Sequence, residues 1–253
     1  MLIRAFRGRC AAGGGIPDIS FRLFCFPYAG AGDAVFRQWP DHFPSDIEMC
    51  VPCLPGRDAR IDEPPASDMA PLVSSLAREM LRSLDVPYAL FGHSMGAFIA
   101  FDLAHALSDF GHPPAHLFVS AQRGPGLPYP ERPTFTLPDD DFLAAILARY
   151  ESIPEPVLEN NDLRRVLLRT LRADFTLVED YHHRATARLA CPITAFGGAD
   201  DKQITREQLE AWSAETTSRF QLHLLPGGHF FVNSSREEML AVIRSNLDGH
   251  SRH

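Results

Sequence analysis

The sequence predicts a doubly wound α/β domain, with a mostly parallel sheet and a helical lid inserted at one edge. Short apolar runs without amphipathic alternation recur along the chain, and segments with helical spacing separate several of them. Such runs suit strands that are buried on both faces, and strand–helix–strand alternation implies a parallel sheet. Because right-handed crossovers place helices on both faces of such a sheet, ligands bind at the carboxyl ends of the strands. The predicted strands are Phe21–Phe26, Ile47–Leu54, Tyr88–Phe91, Leu117–Ser120, Ile193–Phe196 and Phe220–Leu225.

The spacing of apolar residues also predicts the helices. The strand–helix alternation stops over residues of about 123–190, where a Pro/Gly-rich stretch leads into helical patterns and no strand is predicted. Asp139–Asp141 follow Pro138, which suits a solvated helix amino terminus rather than a metal site. We expect one domain over residues 1–253 in which the 123–190 segment is a lid over the ligand-binding edge. The predicted helices are Met69–Leu84, Ala97–Leu107, Asp139–Tyr150 and Asp162–Tyr181.

The composition disfavours several classes of protein. With 24 Lys+Arg against 32 Asp+Glu in 253 residues, the net charge is −8, which opposes binding to nucleic acid or anionic lipid. No window approaches the roughly 18 apolar residues of a membrane span. Arginines interrupt the first ten residues before a signal-peptide core can form. We therefore expect a cytoplasmic protein with no nucleic-acid or membrane partner.

The five cysteines are sparse and odd in number, which predicts reduced thiols. Cys50 and Cys53 form a CxxC pair, but no second such pair and no paired histidine motif completes four zinc ligands. The pair also lies at the end of a predicted buried strand. We predict structural thiols and no metal site.

A serine between two glycines is the candidate nucleophile. Gly92-His93-Ser94-Met95-Gly96 directly follows a predicted strand and precedes a predicted helix. A tight strand-to-helix turn exposes the serine hydroxyl on strained backbone, and side chains at the glycine positions would collide with the neighbouring strand and helix. We predict that Ser94 is the nucleophile of an acyl transfer.

A serine hydroxyl needs a histidine base and an acid that orients it, and in this architecture they follow the serine in the order acid, then histidine. His229 lies on a glycine-rich loop after the last predicted strand, and we predict that it is the base. His93 is the runner-up, but the side chain of Ser94's immediate neighbour should diverge from the serine. His182 and His183 lie in the lid segment and are predicted to be surface or packing residues.

Two aspartates compete for the acid. Gly197-Gly198-Ala199-Asp200-Asp201 follows a predicted strand. Many hydrolases have the pattern glycine, two residues, aspartate, two residues, aliphatic residue at this turn. Counted from Gly198, the pattern gives Asp201 as the acid and Ile204 as the aliphatic residue. Asp200 is the alternative, although it leaves Gln203 at the aliphatic position. Both aspartates could instead cap a helix that begins near Thr205.

Acyl transfer also needs N–H donors for the oxyanion, one after the nucleophile and one from a loop beyond an early strand. Met95 supplies the first. Pro27-Tyr28-Ala29-Gly30-Ala31-Gly32 offers the second, with Ala29 as the candidate donor. This loop lacks both the Gly-Lys-Ser/Thr ending and the GxGxxG spacing of nucleotide-binding loops.

Together these segments resemble the type II thioesterases that accompany polyketide synthases and nonribosomal peptide synthetases, within the α/β-hydrolase superfamily. The resemblance covers nearly the whole chain. One departure is Tyr28, where the family usually has histidine. The motifs are Phe26-Pro27-Tyr28-Ala29-Gly30, Leu54-Pro55-Gly56-Arg57, Phe91-Gly92-His93-Ser94-Met95-Gly96, Asp201 after its glycines, and Leu225-Pro226-Gly227-Gly228-His229-Phe230-Phe231.

The resemblance implies hydrolysis of acyl or aminoacyl thioesters on the 4′-phosphopantetheine arm of an acyl or peptidyl carrier protein, with no cofactor on the enzyme. Ser94 would form the acyl-enzyme, His229 would act as base and then acid, and Asp201 would orient it. Met95 and Ala29 would hold the oxyanion. Carrier proteins are typically acidic, so docking would need a basic patch, near the lid or over Arg57–Arg60. We expect a monomer.

Two other functions fit the same residues. The first is an esterase or lipase that acts on free small-molecule esters or on acyl-CoA with the same triad. The second is a catalytically silent hydrolase fold that serves as a binding module. The resemblance also implies that the 123–190 segment corresponds to the family's helical lid, its most variable part, on which the length of the acyl group depends.

Overall fold

The computed structural model describes residues 3–7, 18–129, 132–150, 155–183 and 187–248. These residues form a seven-stranded sheet in the order β1-β3-β2-β4-β5-β6-β7, in which β1 runs antiparallel to β3 and every other pair is parallel. The predicted mostly parallel, doubly wound sheet is therefore confirmed. The strands are β1 Ile3–Arg7, β2 Phe21–Phe26, β3 Ile47–Pro52, β4 Tyr88–His93, β5 His116–Ser120, β6 Ile193–Gly198 and β7 Phe220–Leu225.

Helices cover both faces of the sheet. On one face α1 and α2 pack over a core that includes Leu76, Phe98 and Leu103, and on the other α8 packs over Phe91 and Phe118. The predicted helix over Met69–Leu84 ends early, because the chain tightens into a 3-10 turn after Met80. The helices are α1 Met69–Met80, α2 Met95–Asp109, α3 Asp139–Arg149, α4 Glu155–Glu159, α5 Asn161–Glu179, α6 Arg206–Glu210, α7 Phe231–Ser234 and α8 Arg236–Leu247.

Both edge strands differ from the sequence prediction. No strand is predicted over β1, because it is short, largely exposed and interrupted by two arginines, and pairing with β3 rather than burial holds it in place. β7 is predicted as a strand buried on both faces, yet it is the opposite edge of the sheet and Leu224 is 41% exposed. An excess of apolar residues therefore does not by itself separate an edge strand from a central one.

The lid segment consists of α3, α4 and α5, and the described part of residues 123–190 contains no named strand. Its helices share a small core of their own, formed by residues such as Phe142, Leu168 and Phe175. The predicted acidic helix start is present at α3, where Asp139 and Asp140 pair with Arg172 and Arg164 of α5. That the whole chain is a single domain stays a prediction.

Four cysteines, Cys25, Cys50, Cys53 and Cys191, are buried free thiols, while Cys10 lies outside the described residues. Burial raises the pKa of Cys50 to about 12. Cys50 and Cys53 are therefore packed as predicted for structural thiols. Nowhere in the described ranges does a helix have the length and apolarity that crossing a membrane requires.

Candidate active site

Ser94 lies on the turn between β4 and α2, with φ 53° and ψ −115°. A non-glycine residue with positive φ is strained, as predicted for this turn. Its backbone N–H donates to the Ser120 carbonyl of the neighbouring strand at 2.7 Å, which helps to hold the turn. A Cβ added to Gly92 would lie 2.0 Å from the Gly96 carbonyl oxygen. A Cβ added to Gly96 would lie 2.1 Å from the Phe26 carbonyl oxygen.

We expect Gly96→Ala to lower the free energy of unfolding by about 3 kcal/mol or more, because the methyl group would meet backbone that cannot move aside. Gly126→Ala is the matched control, since the nearest atoms to a Cβ there are 3.9 Å away. It should change stability by about 0.5 kcal/mol or less. Thermal or urea unfolding of both variants measures the difference. Equal stability of Gly96→Ala and the wild type would contradict the close packing at this turn.

The side chains of Ser94, His229 and Asp201 form a hydrogen-bonded series. His229, on the loop between β7 and α7, places Nε2 3.1 Å from Ser94 Oγ and Nδ1 2.9 Å from Asp201 Oδ2. A carboxylate only accepts, so Nδ1 is protonated and Nε2 can accept the serine proton. The His229 and Asp201 side chains are 7% and 1% exposed, which shields both contacts from water.

Asp201 and Asp200 have different surroundings. The second oxygen of Asp201, Oδ1, accepts from the backbone N–H groups of Gln203 at 2.8 Å and Ile204 at 3.4 Å, so the turn fixes the carboxylate with Oδ2 toward His229. Asp200 instead accepts from the Gly227 N–H at 3.3 Å and joins the two loops. Neither aspartate caps α6, because Thr205 does so in a capping box.

His93 diverges from the serine, as predicted, but it has a structural role that the sequence analysis missed. Its Nε2 lies 3.1 Å from the His229 carbonyl oxygen, and its Nδ1 lies 2.8 Å from Ser120 Oγ. Since a carbonyl only accepts, Nε2 is the protonated nitrogen. Burial, followed by the neighbouring His229, holds the pKa of His93 well below its usual value. A neutral His93 therefore supports the loop that presents His229.

The two candidate oxyanion donors lie on adjoining segments. Met95 is the first residue of α2, where N–H groups have no partner within the helix. Ala29 lies in a turn closed by a 3.1 Å hydrogen bond from the Ala31 N–H to the Tyr28 carbonyl. The start of α2 touches the backbone just before that turn, since a Cβ at Gly96 would lie 2.9 Å from the Pro27 carbonyl oxygen.

An apolar cavity of about 330 Å³ opens beside Ser94 and His229 and is roofed by the lid helices. Among the described residues that line it there is no carboxylate, lysine or arginine. Tyr28 also faces this cavity, and its ring packs edge-on against Phe230 and His93. The lining includes Val35, Ile146, Leu167, Leu171, Phe175 and Val178.

A narrow extension of about 40 Å³ continues from Ser94 toward Arg123. The Arg123 guanidinium is buried, lies over the rings of Phe98 and Tyr129, and donates to the Leu127 carbonyl. Burial lowers the pKa of this group.

The segment Arg57–Arg60, one of the two places considered for a basic docking patch, has its two arginines engaged within the protein. Arg57 is 7% exposed and donates to Asp174 and to the Ala31 carbonyl, while Arg60 pairs with Glu63. Sequence analysis missed Asp174 altogether. A signal was available, because a carboxylate between Leu171 and Phe175 on the apolar side of a predicted helix needs a buried partner.

His182 and His183, the other two histidines considered in the sequence analysis, lie away from the triad. His182 is exposed beside Asp180, and His183 packs near Phe101 with Glu215 3.7 Å away, in line with surface and packing residues. In the ranges that the structure describes, no group of three or more metal-ligating side chains could hold an ion.

Comparison with known families decides the assignment of the chain. A family model described as a thioesterase domain matches residues 21–247. The chain belongs to the thioesterase family. It is a member of the hydrolase class that the sequence predicted, and the recognition of type II thioesterases is confirmed by their solved structures.

Several thioesterase-family relatives cover most of the chain. The gramicidin S biosynthesis protein GrsT of Aneurinibacillus migulanus is 40% identical over 227 residues, which span 89% of this chain and 88% of that protein. LgrE of Brevibacillus parabrevis, named a linear gramicidin dehydrogenase, is 40% identical over 232 residues, spanning 90% and 88%. The solved type II thioesterase BorB, from the borrelidin biosynthetic cluster, is 31% identical with a TM-score of 0.84 and covers 97% of both chains.

Proposed function

We propose that this thioesterase removes acyl or aminoacyl groups from the phosphopantetheine arm of an acyl or peptidyl carrier protein, as an editing enzyme of polyketide or nonribosomal peptide synthesis. The observation that carries the proposal is the series Ser94–His229–Asp201 at the mouth of an apolar cavity. The names of relatives vary, LgrE being called a dehydrogenase, so the reaction is argued from the site. The biosynthetic clusters of GrsT and BorB support a synthase as the source of substrate.

Acylation begins when Ser94 Oγ attacks the thioester carbonyl carbon while His229 Nε2 takes the hydroxyl proton. The developing imidazolium donates through Nδ1 to Asp201, which stays ionised. The carbonyl oxygen becomes an oxyanion, for which the backbone N–H groups of Met95 and Ala29 are the proposed donors. When the tetrahedral intermediate collapses, the C–S bond breaks and the leaving thiolate receives the proton from His229.

Deacylation repeats these steps with water as the nucleophile. His229 takes a proton from the water, hydroxide attacks the acyl-enzyme carbonyl, and the C–O bond to Ser94 breaks as the serine regains its proton. The products are a free acid and the carrier-bound thiol. These residues require no cofactor in any step, and the phosphopantetheine belongs to the partner. We place the enzyme in the cytoplasm and predict that it acts as a monomer.

Intact-protein mass spectrometry of acyl-loaded carrier proteins tests the proposal. Incubation with the wild type should remove the acyl mass from acetyl- and hexanoyl-carrier protein, whereas incubation with Ser94→Ala should leave it. Retention of the acyl mass with both proteins, together with turnover of simple oxygen esters or acyl-CoA, would establish the free-ester hydrolase instead. Retention with no ester turnover at all would establish a silent fold.

We expect hexanoyl-carrier protein to be hydrolysed with a kcat/KM about 10- to 100-fold above that of malonyl-carrier protein. The lining of the cavity beside Ser94 is apolar, and a carboxylate there would lose hydration without gaining a charged partner. Steady-state release of each acid from one carrier protein measures the ratio. Equal rates for the two substrates would contradict an apolar acyl site.

A further inference from the structure

Asp174 of the lid helix α5 is a fully buried carboxylate whose two oxygens bind two segments outside the lid. Oδ2 accepts from the Gly30 backbone N–H at 2.7 Å, and Oδ1 accepts from Arg57 Nη2 at 2.5 Å. Burial raises the pKa of the Asp174 carboxyl, while Arg57 and the Gly30 N–H act in the opposite direction. The carboxylate therefore connects α5 to the loop that holds the second candidate oxyanion donor.

The oxyanion loop, defined as residues 28–32, contains a turn whose shape depends on that contact. Gly30 has φ +77°, and the Ala31 N–H donates to the Tyr28 carbonyl, which together are features of a type II turn with Gly30 at its third position. In such a turn the peptide between Ala29 and Gly30 can flip toward the type I arrangement. A hydrogen bond from the Gly30 N–H to a fixed acceptor selects one orientation of this peptide and so keeps the turn in this form. The Ala29 N–H belongs to the preceding peptide, whose Tyr28 carbonyl accepts from the Ala31 N–H, so its direction depends on the turn staying closed.

Two further contacts hold the same turn. Arg57 Nη1 donates to the Ala31 carbonyl at 2.9 Å, so one guanidinium binds both Asp174 and the end of the turn. Leu171, one helical turn before Asp174, packs directly on Gly30, where an added Cβ would lie 2.7 Å from Leu171 Cδ2. The turn is therefore held by a hydrogen bond at the Gly30 N–H, by one at the Ala31 carbonyl, and by the packing of Leu171 on Gly30.

We propose that Asp174 and Arg57 are positioning residues that set the direction of the Ala29 N–H, so that the oxyanion site is complete only when α5 is seated on the oxyanion loop. The proposal rests on the proposed serine thioesterase mechanism. Neither side chain touches the reacting atoms, and both act through the backbone of residues 29–31. The lid would then take part in catalysis as well as in shaping the acyl cavity.

The same helix provides a matched control. Glu179 is also a buried carboxylate of α5 paired with an arginine, Arg149, and it accepts from the Thr134 and Phe135 backbone N–H groups. These contacts hold another part of the lid and do not involve the oxyanion loop. Each carboxylate side chain is fully buried, and its loss removes an ion pair with arginine together with the acceptor of a backbone N–H, so both alanine variants should lose stability to a similar degree.

Hydrolysis of hexanoyl-N-acetylcysteamine by Asp174→Ala and Glu179→Ala tests the proposal, since this small thioester needs no carrier docking. We expect Asp174→Ala to lower kcat by about 10²- to 10³-fold, the effect of losing one oxyanion donor, with KM changed by about threefold or less. Glu179→Ala should lower Tm similarly but keep kcat within about threefold of the wild type. A kcat loss of the same size in both variants would overturn the proposal.

Two further variants separate positioning from stability and keep the test decisive if Asp174→Ala folds poorly. Arg57→Met with Asp174→Leu replaces the ion pair by apolar side chains, which often restores stability. Its Tm should recover while kcat stays low, because the Gly30 N–H still has no acceptor. Asp174→Asn, whose amide oxygen can accept from Gly30, should recover part of kcat. Recovery of kcat in the apolar double variant would show a purely structural pair.

Affinity for a transition-state analogue gives a second readout. Hexylboronic acid can form a bond from boron to Ser94 Oγ, giving an anionic tetrahedral adduct that uses the oxyanion donors. Its Kd should rise by about the same factor as kcat falls in Asp174→Ala, and stay near the wild-type value in Glu179→Ala. If the wild type hydrolysed no thioester or ester and bound no boronic acid, the proposed function itself would fail. If the wild type were active and Asp174→Ala kept the same kcat, only the positioning role would fail.

Discussion

Ser94→Ala should remain folded and lose thioester hydrolysis by about 10³- to 10⁶-fold, the range seen when the nucleophile of a serine triad is removed. Its hydroxyl oxygen is the only atom of the protein that bonds to the acyl carbon in the proposed mechanism. Without it, His229 has no hydroxyl proton to take and no acyl-enzyme forms. Steady-state hydrolysis of hexanoyl-N-acetylcysteamine, together with the thermal unfolding curve, measures both parts of the expectation.

Ser108→Ala is the control for this substitution. Ser108 lies near the end of α2, where its hydroxyl donates to the Ala104 carbonyl at 2.6 Å, remote from the triad. It should keep wild-type kcat, with a stability change of about 1 kcal/mol. Ser94→Ala should also change stability by only about 1 kcal/mol, since it loses one hydrogen bond to His229. Substantial activity in folded Ser94→Ala would refute the acyl-enzyme mechanism.

The central sheet and the serine turn are predictable because their signals are local. A strand buried on both faces is apolar at most positions and shows no polar alternation, and β2, β4 and β6 have this pattern in the sequence. An added Cβ at Gly92 or Gly96 would lie about 2 Å from a backbone carbonyl oxygen, so no side chain fits at either position. In both cases a few adjacent residues contain the whole physical constraint.

The parts of the site that escape prediction depend on contacts between residues far apart in the chain. Gly30 and Asp174 are 144 positions apart, and Arg57 and Asp174 are 117 apart. Nothing near Arg57 in sequence indicates that its guanidinium is buried rather than on a docking surface. The strand β1 is similar, because it is short and mixes apolar residues with two arginines, and its pairing with the distant β3 holds it in the sheet.

The choice between adjacent aspartates shows how far a spacing rule can go. Glycine spacing favours Asp201 over Asp200, and the structure places the Asp201 carboxylate 2.9 Å from His229 Nδ1. The spacing works because the backbone N–H groups after the aspartate fix one of its oxygens and leave the other for the imidazole. The short distance gives the position of Asp201, whereas its effect on the rate is measured by replacing its carboxylate.

Asp201→Asn should lower kcat by about 10⁴-fold with little change in fold. The amide can still occupy the turn, but if its NH₂ group faces His229, Nδ1 becomes an acceptor and Nε2 holds the proton. The imidazole then cannot take the proton of Ser94. Even with its oxygen toward His229, the amide lacks the negative charge that stabilises the imidazolium in both tetrahedral intermediates.

Asp200→Asn is the matched variant for this prediction, because it makes the same change of a carboxylate to an amide at the neighbouring residue. Asp200 accepts only from the Gly227 N–H among its described hydrogen bonds, at 3.3 Å, and an amide oxygen can replace it. Its kcat should stay within about threefold of the wild type. The two asparagine variants therefore differ in rate by about 10³-fold or more if Asp201 orients the base. A larger loss of kcat in Asp200→Asn than in Asp201→Asn would give that role to Asp200. The loop after β6 would then have to rearrange, because Asp200 accepts from the backbone of the histidine loop and Asp201 from the imidazole.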